Sequence, residues 1–316
     1  MRKESKTNIS TNISTVNGYH ARTDCHVNYA FQGWQSNKLF TSDRYIKLDD
    51  NFNRADGKPL QAYGLEIELI SDSISNTTVL AEVLNKVIFT HFPADLFKLQ
   101  SDCSLGGHSS AEAITQVMTR DAIRNMYPAF KAMYNNYFPA MGITAGHISC
   151  GMHVNISNGL FGKTEAAQAE AIRKLYYIVN SKFNLACDLF CRDRNATGYC
   201  NRMNAGKEYA QHMNLAYQDV SHGVCFNLGH FTEGRVELRL VAGQKDYGAF
   251  RNTMETVFHL INAVKHLSWK ECDDLEAIFS GCNQYVFDRI NTMCREHFTA
   301  VQLSNIRATV KREELL

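Results

Sequence analysis

Apolar and polar residues alternate along Tyr63-Gly64-Leu65-Glu66-Ile67-Glu68-Leu69-Ile70, the period of a β-strand with one buried face. Leu65, Ile67 and Leu69 share one face of that strand, and Glu66 and Glu68 share the other. The same pattern returns in Cys150-Gly151-Met152-His153-Val154-Asn155-Ile156-Ser157, which sets His153 and Asn155 opposite Met152, Val154 and Ile156. It returns again in Gly234-Arg235-Val236-Glu237-Leu238-Arg239-Leu240. A further strand is expected at Leu96–Leu99, and Gly223–Leu228 is expected to form a hairpin with the Glu237 strand. Helical spacing predicts helices through Leu80, Val83, Leu84, Val87 and Ile88 after caps at Asn76 or Thr77, and through Ile123, Met126, Phe130, Met133 and Tyr134 after Thr119. A long helix is expected from a Thr164 cap to about Arg192, another over about Phe250–Leu267, and a last helical stretch through Phe287, Ile290, Met293, Cys294 and Phe298. Ser101–Gly107 reads as a turn-rich stretch that ends near Ser110–Thr115. Period-two strands interspersed with helices predict an α+β fold, a one-sided and largely antiparallel sheet backed by helices.

The ends of the chain differ from its middle. Residues 1–20 repeat Thr-Asn-Ile-Ser and hold too little apolar area to order themselves, so they read as a flexible polar tail. Residues 21–58 contain Tyr29, Phe31 and Trp34 without a clean period, a docking segment of unassigned structure. Residues 59–267 carry the patterned elements and 268–316 form a helical appendage. The net charge is +1 over 316 residues, which gives no overall field toward nucleic acid or an anionic membrane. The ten cysteines are scattered without a C-x-x-C pair, as expected of buried, reduced thiols. The basic start, Met1–Lys6, leads into Asn, Ser and Thr instead of an apolar segment, and no apolar run has the length of a membrane span. A soluble, cytoplasmic protein is expected.

If the three patterned strands belong to one sheet, its polar face gathers Glu66, Glu68, His153, Asn155, Glu237 and Arg239. A solvated strand face carries mainly Lys, Ser, Thr and Gln, whereas Glu, His, Asn and Arg occupy these positions. Carboxylates brought together on one face repel each other unless a cation or an arginine offsets them, and a divalent metal answers that need. Magnesium suits the carboxylates, while manganese tolerates His153 better. The loop at 191–207 is basic and rich in Gly and Asn, fit for a phosphate or carboxylate clamp or for a solvated surface. Ser157–Thr164 imitates a phosphate-binding loop but has Ser157 where the motif needs glycine, and Thr164 as a helix cap accounts for it. His91, His212, His259 and His266 read as ordinary helix or loop residues.

With these strands in place, the chain resembles the amidoligases, ATP-dependent carboxylate–amine ligases distantly similar to glutamine synthetase and glutamate–cysteine ligase. The resemblance rests on Gly64-Leu65-Glu66-Ile67-Glu68, Asp102-Cys103-Ser104 followed by Glu112, Gly151-Met152-His153-Val154-Asn155, Phe226-Asn227-Leu228 and Val236-Glu237-Leu238-Arg239, in that order over Tyr63–Val264. It departs from the family where His153-Val154-Asn155 replaces His-x-His, and where Ile114-Thr115-Gln116 replaces the Ser-Pro after the third glutamate. The resemblance implies a curved, largely antiparallel sheet with helices on one face. It also implies Glu66, Glu68, Glu112, His153 and Glu237 as metal ligands and Arg239 as a clamp on substrate or on the transferring phosphate. Arg202 is a second catalytic candidate, and Asn155, Asn227 and Arg235 are candidates for cofactor binding, although Arg235 also suits a plain ion pair. The expected activity joins a small-molecule or peptide carboxylate to an amine through an acyl phosphate, with ATP and Mg2+ or Mn2+. A metal-dependent hydrolase of an amide or phosphate ester, or a non-catalytic protein on the same sheet, would use the same residues.

Overall fold

The longest strand of the computed structural model is Tyr63–Ser71; the structure describes residues 28–29, 38–49, 53–74, 77–93, 95–100, 105, 109–194, 200–217 and 223–311. Leu65, Ile67 and Leu69 are each 1% exposed, so burial of the odd-numbered face fixes which residues turn the other way. On one side the strand pairs antiparallel with Ser109–Thr115, setting Glu68 opposite Glu112, and that strand pairs in turn with Phe97–Gln100. On the other side its first half pairs with Met152–Ser157, setting Glu66 opposite His153. Met152–Ser157 pairs with Arg235–Leu238, setting Asn155 opposite Glu237, and Arg235–Leu238 pairs with Phe226–Asn227, setting Asn227 opposite Glu237. The three patterned strands therefore lie side by side.

The expected class is present: helices pack with a mostly antiparallel, open sheet. Among the described strands, the pairing of Lys38–Phe40 with Val117–Met118 is the parallel exception. Part of the segment left unassigned from sequence joins this sheet, because Lys38–Phe40 and Tyr45–Lys47 form an antiparallel hairpin and Asn28–Tyr29 pairs with Phe97–Gln100. The tail at 1–20, Phe31, Trp34, Asn76 and Asp102-Cys103-Ser104 lie outside the described residues.

Two helices back the patterned strands. Glu165–Ser181 starts at Thr164, whose side chain accepts from the Ala167 amide, and Tyr247–Val264 starts at Asp246, which accepts from Ala249. The first helix is shorter than its apolar stripe predicts. It breaks at Lys182 (φ −109°, ψ 41°) and resumes over Phe183–Leu189. The cause lies two residues earlier, where the fully buried Asn180 donates to the Tyr176 carbonyl and accepts from the Met203 amide at 2.7 Å. An Asn side chain so engaged competes with continuation of the helix.

The C-terminal helices are not appended to this core but complete it. Ile278, Phe279, Val286, Phe287 and Ile290 are buried in the same apolar cluster as the sheet, and Arg289 bonds the Leu189 carbonyl and Thr253. The strongest polar tie is Glu255, 2% exposed on the Tyr247–Val264 helix. It receives Arg124 through both carboxylate oxygens (2.9 and 2.6 Å), Tyr127 Oη (2.8 Å) and Asn283 Nδ2 (2.7 Å).

Arg124→Ala leaves that carboxylate buried without its cation, and a loss of about 3 kcal/mol is expected, read as a lower urea midpoint at unchanged slope. A second expectation concerns His259, whose Nε2 lies 2.8 Å from the Ile278 carbonyl oxygen. Burial lowers its pKa below the ordinary value, so the unfolded chain takes up a proton before the folded one does. Its contribution to stability is therefore present above about pH 6.5 and is lost as pH falls below that toward the depressed folded value. Thermal unfolding from about pH 7.5 to about pH 5 should show this slope flattened in His259→Gln.

Candidate metal centre

Cross-strand pairing alone brings the polar residues together, since directly opposed side chains stand about 5 Å apart. His153, on the strand between those of Glu66 and Glu237, is the hub. Its Nδ1 is 3.1 Å from Glu66 Oε2 and 3.5 Å from Glu237 Oε1, and its Nε2 is 3.7 Å from Glu68 Oε1. Two trios follow, Glu66–His153–Glu237 and Glu68–Glu112–His153, and in each trio the candidate ligand atoms lie within 4.8 Å of one another. All five residues expected to hold metal thus converge on the polar face of the sheet.

The groups around the hub fix the carboxylates in place. Asn155 Nδ2 donates to Glu66 Oε1 (2.8 Å), and its carbonyl oxygen accepts from Arg235. Asn227, 1% exposed, donates to Glu237 Oε2 at 3.0 Å and accepts from the Gly229 amide. Both amides hydrogen-bond a carboxylate of the cluster and are themselves held by a second protein group. Arg235 is half-buried at the rim and works through Asn155. Gly151 donates its amide to Glu68 Oε2.

Electrostatics follow from this packing. Burial alone would raise the Glu66 carboxyl, but the hydrogen bond and charge of His153, the bond from Asn155 and the charge of Arg235 outweigh it and hold the pKa at about 2. Burial opposes protonation of His153, as does Arg239, yet the bond to Glu66 and the negative charges of Glu66 and Glu237 raise its pKa. The negative charges of Glu66 and Glu237 favour a cation at the centre of the cluster.

Arg239 joins the cluster as expected. Its Nη1 donates to Glu237 Oε1 at 2.7 Å, while its Nε is buried without a hydrogen-bond partner. An unanswered buried donor is costly. Arg202 does not join. Its Nε donates to the Asn180 carbonyl (2.8 Å), and it lines a different cleft with Lys182 and Asp273. The reason is the Asn180 side chain, which binds the backbone at Met203 and turns this stretch toward the helix break.

Arg192, which the sequence did not single out, lies closer to the cluster than Arg202 does. It is held by the Leu240 and Val241 carbonyls (3.3 and 2.7 Å). A Cβ built at Gly151 would lie 3.3 Å from Arg192 Nη2, 3.3 Å from Glu68 Oε2 and 3.4 Å from His153 Nε2. Glycine at 151 therefore admits the arginine to the edge of the metal-capable cluster. Only the basic character of loop 191–207 pointed to Arg192, since Arg192, Arg194 and Arg202 look alike in sequence. A third group, Asp188, Glu296 and His297, also has ligand-like spacing. Arg194 bonds both of its carboxylates, which supplies the positive charge.

The donor set fits a divalent cation that prefers oxygen and accepts one imidazole. No protein-family model matches this chain, and no curated protein matches it significantly.

Proposed function

We propose that this chain is an ATP-dependent carboxylate–amine ligase of the amidoligase kind, built on a curved sheet like that of glutamine synthetase and glutamate–cysteine ligase. One observation carries the reading: two metal-capable trios share His153, and cationic groups flank them at Arg239 and Arg192. A hydrolase acting through activated water needs the metal ligands, but a polyanionic triphosphate also needs fixed cations beside the metals, and both kinds of group are side by side here.

Glu66, Glu237 and His153 would hold one Mg2+ or Mn2+, and Glu68 with Glu112 a second, because a neutral imidazole has one lone pair to give. Bound metal supplies neutralisation of charge along the β- and γ-phosphates of ATP. The rest is done by the chain. Asn227 and Arg239 hold Glu237 by its two oxygens, and Asn155 braced by Arg235 holds Glu66, so the ligands are oriented before substrate arrives. Arg239 keeps its Nε donor for the transferring phosphoryl group or the substrate carboxylate. The carboxylate substrate attacks the γ-phosphorus and releases ADP. The amine then attacks the acyl phosphate carbon, phosphate leaves with the C–O bonding pair, the nitrogen gives up a proton to water, and an amide remains. The acid and the amine are a small molecule or peptide each, and nucleic acid and membrane have no part in the reaction. The expected setting is the cytoplasm.

Thermal unfolding of the wild type with Mg2+ and a non-hydrolysable ATP analogue tests the reading. At about 100 times the dissociation constant the stabilisation is about 2.7 kcal/mol, and it should depend on Mg2+ and vanish in Glu237→Gln. No shift in the wild type at millimolar nucleotide would sink the ligase. In a screen of acids with hydroxylamine as the amine, hydroxamate and ADP should form together. Arg239→Gln should then lower kcat by about a hundredfold and also raise the Mg2+ concentration required, because Arg239 holds Glu237.

A further inference from the structure

Away from the carboxylate centre, the break between the Glu165–Ser181 and Phe183–Leu189 helices opens a cleft of about 410 Å³ against the C-terminal helices. That volume is within the range of small-molecule sites. Lys182 stands at the break, Arg202 reaches the cleft from the neighbouring loop, and Phe183 and Leu275 line it with apolar surface. The charges in this cleft are unevenly answered. Asp273 accepts from Tyr177 Oη at 2.5 Å and from Lys207, and His297 Nε2 is 2.6 Å from Asp188 Oδ2. Lys182 has no carboxylate within ion-pair distance among the described residues, and the Arg202 guanidinium spends only its Nε, on the Asn180 carbonyl.

We propose that this cleft is a second binding site, sharing no residue with the carboxylate centre, for a small organic anion. Its carboxylate or phosphate lies between Lys182 Nζ and the Arg202 guanidinium, and its apolar part rests on Phe183 and Leu275. Arg202 contributes planar paired donors and Lys182 a point charge, a combination suited to either anionic group. Burial lowers the Lys182 pKa, and an anion beside the ammonium would restore it. Asp273 is shared with Lys207 and Tyr177, so it only partly offsets the cations. The site does not depend on the ligase reading, because none of its residues takes part in that chemistry.

Calorimetric titration of the full chain with inorganic phosphate, phenyl phosphate and phenylacetate tests the proposal. One of the two aromatic anions should bind saturably and more tightly than inorganic phosphate, and the tighter of the pair identifies the anionic group. Lys182→Gln and Arg202→Gln should each weaken that binding by about tenfold, whereas Glu237→Gln should leave it unchanged. The two cations lie on separate segments, so misfolding of one variant leaves the other as the test. Absence of saturable binding by all three anions, undiminished binding in a folded variant, or loss of binding in Glu237→Gln would overturn the proposal.

Discussion

Repulsion among four carboxylates on one sheet face is the constraint around which this protein is built. Glu66, Glu68, Glu112 and Glu237 would each prefer water to one another's company, and the two most enclosed, Glu68 and Glu237, have given up most of it. What holds them is a surrounding set of donors: the His153 ring among three of them, Asn155 and Asn227 on one oxygen each, Arg239 on Glu237, and the Gly151 amide on Glu68. Apart from Arg239, which follows Glu237 on its own segment, each donor sits on or beside a strand that pairs with the strand of its carboxylate. The sheet register and the electrostatics are therefore one requirement, and the apolar face beneath the cluster enforces both.

Much of this was legible in the sequence, because strand alternation is a local property. Glu66, Glu68, His153, Asn155 and Glu237 alternate with residues that are buried, so their common face follows once the strands are adjacent. Ser109–Thr115 was harder to recognise. Its inward residues are Ala111, Ala113 and Thr115, too small to give a strong apolar signal beneath the helices, although Glu112 was identified within it. The helix break at Lys182 was hidden for the opposite reason, since the apolar stripe runs straight through it and the interruption arises from distant Met203.

Arginine roles were the least legible. Arg192, Arg194, Arg202, Arg235 and Arg239 are chemically identical, and the backbone carbonyls and carboxylates that each one finds decide among them. Arg192 is drawn to the Leu240 and Val241 carbonyls, Arg194 to Asp188 and Glu296, and Arg202 to Asn180. These partners lie from 6 to 102 residues away in sequence. No local pattern encodes such choices, whereas the Glu237–Arg239 pair, two residues apart on one segment, could be read directly.

The pairing order also bears on how the chain reaches its native state. The His153 strand is flanked by residues 63–67 on one side and 235–238 on the other, so closing the cluster joins segments separated by more than half of the chain. Contacts of such long range form slowly, because the loop entropy must be met before they stabilise anything. A chain whose final hairpin has not docked has Glu66 and His153 but lacks Glu237 and Arg239. The centre is thus a property of the completed sheet, and a nascent or partly folded chain has not yet assembled the carboxylates and donors that make the cluster.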